Sequence, residues 1–253
     1  MSTLPKALLW ILLAAPLITQ VQASETNTIT VFADENYPPV IYRDQQQQPA
    51  GFLADALNYV AKAQGQPIEL ILYPWKRAYV SAEYGKGGVV GVSKTAPREL
   101  LFDFSAPLYH DDILVVVMKG HEFAFDNLND LHGKKIGAQL GASYGTEADI
   151  LINSQTLNVV RDQSQTARLG KLLRGRIEVA FIGNGQAGLD ALLNSDPELK
   201  AHRDEFVALA TPLTRDTLYL AFSKGMHMQD YLRRFNQILK QARAEHKLPE
   251  LVE

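Results

Sequence analysis

The residues best equipped for chemistry in this chain are few, and Arg98 heads them. A guanidinium presents a planar fork that can hold a carboxylate through two parallel hydrogen bonds; it can equally pair on the surface with Glu99 or Asp103. Ser93 and Thr95 stand just before it, after the small-residue run Gly88-Val89-Val90-Gly91-Val92. Hydroxyls there can orient a bound carboxylate or cap a turn. Gly141-Ala142-Ser143 opens a helical pattern, and the free N–H groups of a helix start suit an anion. Ser143 can serve there as the N-cap as well. Asp34 can accept from an ammonium or cap the turn that follows it. Tyr37, Tyr42 and Trp75 are aromatics of the kind that line small-molecule pockets or fill cores.

Signals for turnover are few. The histidines (His110, His121, His132, His202, His227, His246) show no HxH or HExxH spacing. GxxxxGK[ST] does not occur, and the GxSxG string Gly141-Ala142-Ser143-Tyr144-Gly145 is the same segment that is read above as a helix start. There is no cysteine, which excludes disulfides, thiolate metal sites and a cysteine nucleophile. His110-Asp111-Asp112 is the one cluster suggestive of acid–base work, a role that needs geometry against a substrate. The expectation is a chain that is not an enzyme and uses no metal or cofactor. The formal charge of −3 gives no reason to expect nucleic acid or an anionic membrane as partner.

The elements that must position these residues follow a leader-like segment. Lys6, the apolar run Ala7 to Ile18 and the small residues of Val21-Gln22-Ala23 have the order of a secretory signal peptide. An uncleaved anchor or a buried helix fits that order less well, since a span needs roughly 20 apolar residues. Residues 1–23 are therefore read as a cleaved leader and the product as periplasmic. Beyond it, short apolar runs alternate with helical periodicity, the pattern of an α/β protein with mainly parallel sheets. Strands are expected at Ile29 to Ala33, Ile68 to Leu72, Gly88 to Val92 and Ile113 to Met118. The helices among them are Phe52 to Ala63, with apolar residues every fourth position, and Lys76 to Tyr84. The four glutamines from Gln45 read as a solvated hairpin or loop. A second set follows: strands at Lys135 to Ala138, Leu157 to Val160, Ile177 to Ile182, Phe206 to Ala210 and Leu218 to Phe222. Helices are expected at Thr166 to Leu173, Gln186 to Leu193 and around Tyr231 to Ala242. Two such sets without a polar linker imply two lobes in close contact.

The strings DENYPPVIY, GFLADALNYVAKAQG, SKTAPRELLFDFSAPLY, LNDLHGKKIGAQLGASYG, LLRGRIEVAFIGN and LYLAFSKG, in this order, resemble the extracellular solute-binding proteins of family 3. These are type II periplasmic binding proteins, best known for polar amino acids. The resemblance spans the mature chain. It implies a type II periplasmic binding protein fold: two lobes, each a mainly parallel sheet flanked by helices, joined by two crossing hinge strands. The implied organisation is lobe one over 24–110, lobe two over 111–211, and a return to lobe one with a C-terminal helix over 212–253. His110-Asp111-Asp112 then falls at the crossing and reads as hinge polarity. The implied function is capture of a small carboxylate-bearing solute, an amino acid first, by hinge closure for an ABC importer or a sensor. The implied partners are that small molecule and the membrane subunits of an importer, with the protein itself a monomer. A dehydratase-like enzyme on the same scaffold is the rival, as is a sensing module without transport.

By the resemblance, Arg98 grips the ligand carboxylate, with Ser93, Thr95, Ala142 and Ser143 around it. Trp75 stacks on the ligand, and Asp34, Tyr37 and Asn184 complete the site. The chain departs from the family in one respect that bears on the ligand. Amino-acid binders carry an aspartate soon after the GRIDA-like segment to neutralise the α-ammonium; here Gly183 and Asn184 stand in its place. A buried ammonium without a counter-charge is costly, which leaves Asp34 to carry it or points to a ligand without one. Gly87-Gly88, where an acidic residue often precedes the strand, is read as structural.

Overall fold

The computed structural model describes residues 28–249; the leader expected at 1–23 lies outside the described residues. The first stretch runs β1 (Ile29–Asp34), β2 (Asn36–Tyr37), β3 (Ile41–Arg43), β4 (Pro49–Ala50), α1 (Phe52–Gln64), β5 (Ile68–Tyr73), α2 (Trp75–Glu83), β6 (Gly88–Ser93), α3 (Ala96–Leu101), β7 (Phe102–Phe104) and β8 (Tyr109–Met118). The second comprises β9 (Lys135–Gln139), α4 (Thr146–Asn153), β10 (Asn158–Asp162), α5 (Gln165–Leu173), β11 (Val179–Ile182), α6 (Gly185–Ser195), α7 (Pro197–Ala201), β12 (Phe206–Ala208), β13 (Thr214–Ser223) and α8 (Gln229–Ala244).

In the first lobe β1 lies between β5 and β6, parallel to both. Its residues are buried on both faces because helices cover both. Val31 and Ala33 pack with Leu53 and Leu57 of α1 and Phe235 and Leu239 of α8; Phe32 packs with Trp75, Ala78 and Ala82 of α2. The four-residue apolar spacing of α1 is thus its core stripe. Gly65 ends that helix in the left-handed conformation at φ 66°, and the N–H groups of Gly65 and Gln66 return to the carbonyls of Lys62 and Ala61. β2, β3 and β4 form a small antiparallel sheet whose β3–β4 connection is the glutamine tract. A Cβ on Gly88 would meet the Phe222 ring at 2.6 Å and one on Gly87 the Thr30 carbonyl at 2.6 Å, so the glycine pair serves close approach of strands.

In the second lobe β9 lies between β10 and β11, again parallel. One face buries Val115, Ile136 and Phe181, the other Val116, Leu169, Ile182 and Leu192. The two lobes share a single continuous sheet, in the order β10-β9-β11-β8-β13-β6-β1-β5. The join is β8 against β13, antiparallel from Tyr109–Leu218 to Ile113–Thr214. Beyond Ile113, β8 pairs with β11 and β12; beyond Leu218, β13 pairs with β6 and β7.

One expected feature moves. Gly141-Ala142-Ser143 does not open α4; the helix starts at Thr146 with Gly145 as N-cap residue. The intervening residues form an irregular turn in which Ser143 Oγ and the Tyr144 N–H both donate to Asp149. Three short elements, α3, β7 and α7, lack a readable period because each is six residues or fewer.

Phe235 is fully buried at the contact of α8 with the first-lobe core. Phe235→Ala is expected to cost roughly 3–5 kcal/mol through lost burial and a residual cavity, read as a lower urea midpoint in a circular-dichroism unfolding curve.

Candidate functional site

The carboxyl ends of parallel strands collect the free backbone groups of an α/β sheet, and ligands bind beyond them. Here those ends face one another across the cleft. β1 ends at Asp34 and β6 at Ser93, while β9 ends at Gln139 and β11 leads into Gly183. All four residues line a narrow cavity of about 50 Å³. The crossing strands form its back through Asp111, Ile113, Asp216 and Leu218, and Trp75, Ser143, Tyr144 and Arg168 form further walls.

Hydrogen bonds hold the lobes together over this space. The Gln139 side-chain amide donates to Asp34. Asn36 Nδ2 donates to Ser164 Oγ at 3.0 Å, and Asn184 Nδ2 to the Pro38 carbonyl at 3.0 Å. The Arg98 guanidinium donates to the Ser93 carbonyl at 3.1 Å on its own side and to the Gly141 carbonyl at 3.2 Å across the cleft. The arrangement is that of a closed cleft.

Of the residues expected from sequence, Asp34, Tyr37, Trp75, Ser93, Ala142 and Ser143 line the cavity. Arg98 stands behind this wall; it is buried, with its guanidinium 4.9 Å from the centre of the Tyr79 ring. Thr95 is the N-cap residue of α3, and its side chain makes no capping bond. Asn184 sits at the start of α6 in the left-handed conformation at φ 68°; its N–H donates to Asp111 at 2.5 Å. Ser143 is not an N-cap, since Gly145 takes that position. Lys76 and Arg77 are exposed, with the Arg77 guanidinium 3.7 Å from the centre of the Tyr73 ring.

Three acids give the cavity its electrostatic character. Burial pushes Asp34 up to about 6, against the Asn36 N–H and Gln139 bonds that favour its charged form. Burial likewise pushes Asp111 up to about 6, although the Tyr37 hydroxyl and the Asn184 N–H donate to it. Asp216 is raised by burial too, while Ser93 Oγ donates to it. Tyr37, raised by burial and by Asp111, stays protonated as a donor. Arg168 is buried against Asp162 at 2.8 Å and the Phe181 carbonyl at 2.5 Å. Trp75 Nε1, Gln165 Nε2 and Arg168 Nε are buried donors with no partner. Asp111, Asp216, Gln139, Gln165 and Arg168 were not among the expected site residues. For Asp111 a signal existed: alternation in β8 puts it in phase with Ile113, Val115 and Val117, all buried.

The model of bacterial extracellular solute-binding proteins, family 3, matches residues 29–253. The L-cystine-binding protein TcyJ of Escherichia coli (strain K12) is 26% identical over 234 residues, 92% of this chain and 84% of that one. The arginine-bound form of truncated ArgBP from T. maritima superposes with a TM-score of 0.70 at 22% identity, over 85% of this chain and 95% of that one. A histidine kinase sensor domain with similarity to periplasmic binding proteins gives 0.75 at 19% identity, over 87% and 92%. The two structural likenesses speak for the fold.

The raised acids set a pH dependence. Folded Asp111 titrates at about 6 rather than 3.8, so the folded protein keeps a proton that the unfolded chain has already lost. Stability from this group is whole below about pH 4 and is lost as pH rises through about 6. That shift represents roughly 3 kcal/mol at most. Asp111→Asn cannot ionise and keeps an acceptor, so it is expected to melt several degrees above the native protein at pH 7.5. The difference should vanish by pH 4 in scanning calorimetry.

Proposed function

The chain belongs to the bacterial extracellular solute-binding proteins, family 3, and on that premise we propose that it captures an amino-acid-class solute in the cleft between its lobes. The observation that carries this reading is the cavity at the facing carboxyl ends of the strands, bridged by Arg98, Asp34 and Gln139. The names of the relatives support the ligand class: one binds L-cystine, and another is an arginine-bound protein. The lobe limits that go with it are 24–110, 111–211 and 212–253.

Capture works by exchange of partners. A solute admitted to the open cleft takes over groups that the closed lobes otherwise spend on one another. The Arg98 fork leaves the Gly141 carbonyl and holds the ligand carboxylate in two parallel bonds. Ser93, Thr95, Ala142 and Ser143 surround that carboxylate, Trp75 covers the ligand face, and Tyr37 and Asn184 set the position of the Asp111 carboxylate. Asp34 receives an ammonium. A ligand that touches both lobes binds the closed state better than the open one, and that differential affinity drives closure.

The protein is a carrier without turnover. The acids of the cavity are matched with donors, as a binding site requires. A candidate acid incubated with the protein is expected to return unchanged. Delivery to the membrane subunits of an ABC importer is the role that fits this family. The likeness to a kinase sensor domain supports a second reading in which the same closure is read by a signalling partner.

Arg98→Lys keeps the charge and loses the planar fork. It is expected to leave the circular-dichroism spectrum unchanged and to weaken an amino-acid ligand by about 10- to 100-fold, the loss of a charged hydrogen bond worth roughly 1.5–3 kcal/mol. Calorimetric titration with the amino acid that most raises the melting temperature checks it. Export predicts cleavage after Ala23, and mass spectrometry of the periplasmic protein should find Ser24 at its start.

A further inference from the structure

The crossing strands place two carboxylates where a sheet ordinarily avoids them. Asp111 and Asp216 are directly opposite in the antiparallel register of β8 and β13, so their Cβ atoms are about 4.5–5.5 Å apart on one face. Both line the cavity. One residue along, on the outward face, the same register pairs Asp112 with Arg215, Oδ1 to Nε at 2.7 Å. The ladder therefore matches opposite charges toward solvent and like charges toward the cleft. Like charges directly opposite destabilise a sheet, and burial strengthens the repulsion by removing water. Asp34, buried like Asp111, adds a third acid to the same space beside the half-buried Asp216.

The cations nearby do not balance these acids. Arg168 lines the cavity, but it is committed to Asp162, which Lys171 also approaches at 3.4 Å. Arg98 faces Asp216 electrostatically, and under the proposed function its fork belongs to the ligand carboxylate. A zwitterionic amino acid would satisfy Arg98 with its carboxylate and one acid with its ammonium. Two carboxylates would remain without a counter-charge, at considerable cost. A second observation points to a ligand independently of charge: Trp75 Nε1 and Gln165 Nε2, on residues only 7% and 1% exposed, line this cavity with no acceptor. Among the described residues no group of three or more His, Cys, Asp or Glu is arranged to hold a metal ion, which favours an organic cation.

We infer that the solute is a net cation: an amino-acid-class molecule with a further ammonium or guanidinium group, seated between Asp111 and Asp216 of the crossing strands. The inference rests on the reading of this cavity as the ligand site and specifies the ligand's charge. Asp34 then receives the α-ammonium, and Asp111 and Asp216 hold the additional cationic group.

Calorimetric titration of the mature protein at pH 7.5 tests it with matched probes. L-Lysine and L-norleucine differ by the terminal ammonium; L-arginine and L-citrulline are alike in shape and differ in charge. At least one cationic probe is expected to bind 10-fold or more tighter than its neutral counterpart. The double variant Asp111→Asn/Asp216→Asn, checked for folding by its melting curve, is expected to bring that ratio below 3. Neutral probes binding as tightly as the cationic ones would overturn the inference and leave the amino-acid reading standing. Cadaverine binding as tightly as lysine would support the cationic site and overturn the amino-acid reading, because it has no carboxylate for Arg98. Discrimination that survives in the folded double variant would overturn the role of the paired acids, as would binding of calcium chloride in place of every organic probe.

Discussion

Everything distinctive in this molecule follows from the β8–β13 ladder. Because the chain passes between lobes on two antiparallel strands, both lobes belong to one sheet, and their parallel strands point their carboxyl ends into one cleft. The two cores on either side of the join are separate. The same register fixes what lies at the back of the cleft. Side chains alternate across a strand, so Asp112 and Arg215 face outward as a pair once Asp111 and Asp216 face inward.

The cores were legible because their periods are long and regular. Four-residue spacing in α1 and α8 and the short apolar runs of β1, β5 and β11 meet the helices and strands observed, usually within one or two residues. The cleft was harder to read, because its residues come from strand ends and turns whose neighbours in space are far apart in sequence. Asp34 and Gln139 are 105 positions apart. Arg98 was singled out by motif, and it stands in the wall between Ser93 and Gly141 rather than on the cavity surface. The Asp111–Asp216 contact needs the register of two strands separated by an entire lobe, which no local pattern encodes. Alternation alone did place Asp111 on the buried face of β8. A carboxylate in phase with Ile113, Val115 and Val117 is a buried acid, and a buried acid in a cleft is a reason to look for a cation.

The departure at Gly183 and Asn184 makes physical sense in this light. Asn184 starts α6 in a left-handed conformation that asparagine tolerates better than most residues. Its N–H donates to Asp111 and its side chain crosses to Pro38. A Cβ on Gly183 would collide with the Tyr37 ring at 2.7 Å from Cζ, and Tyr37 is the other donor to Asp111. Glycine at 183 and asparagine at 184 are therefore what allow Tyr37 and a backbone N–H to converge on a crossing-strand carboxylate. In this cleft, negative charge lies at the joint between the lobes.

Acids at the joint bear on closure. The bonds from Gln139 to Asp34, Arg98 to Gly141 and Asn184 to Pro38 form only when the lobes meet, and each contributes modestly because water would otherwise satisfy both partners. Closing also removes water from Asp34, Asp111 and Asp216, which is why burial raises all three. The cleft is thus pulled shut by these hydrogen bonds and pushed open by desolvated acids, two terms of opposite sign. A ligand shifts such a balance only by its difference in affinity for the two states. A cation enclosed between the acids removes the opposing term and leaves the favourable one, so much of its binding free energy is realised on closure. A neutral solute of the same shape gains the contacts and leaves the repulsion in place. Discrimination by charge is then written into the conformational equilibrium itself, through carboxylates on the very strands about which the lobes turn.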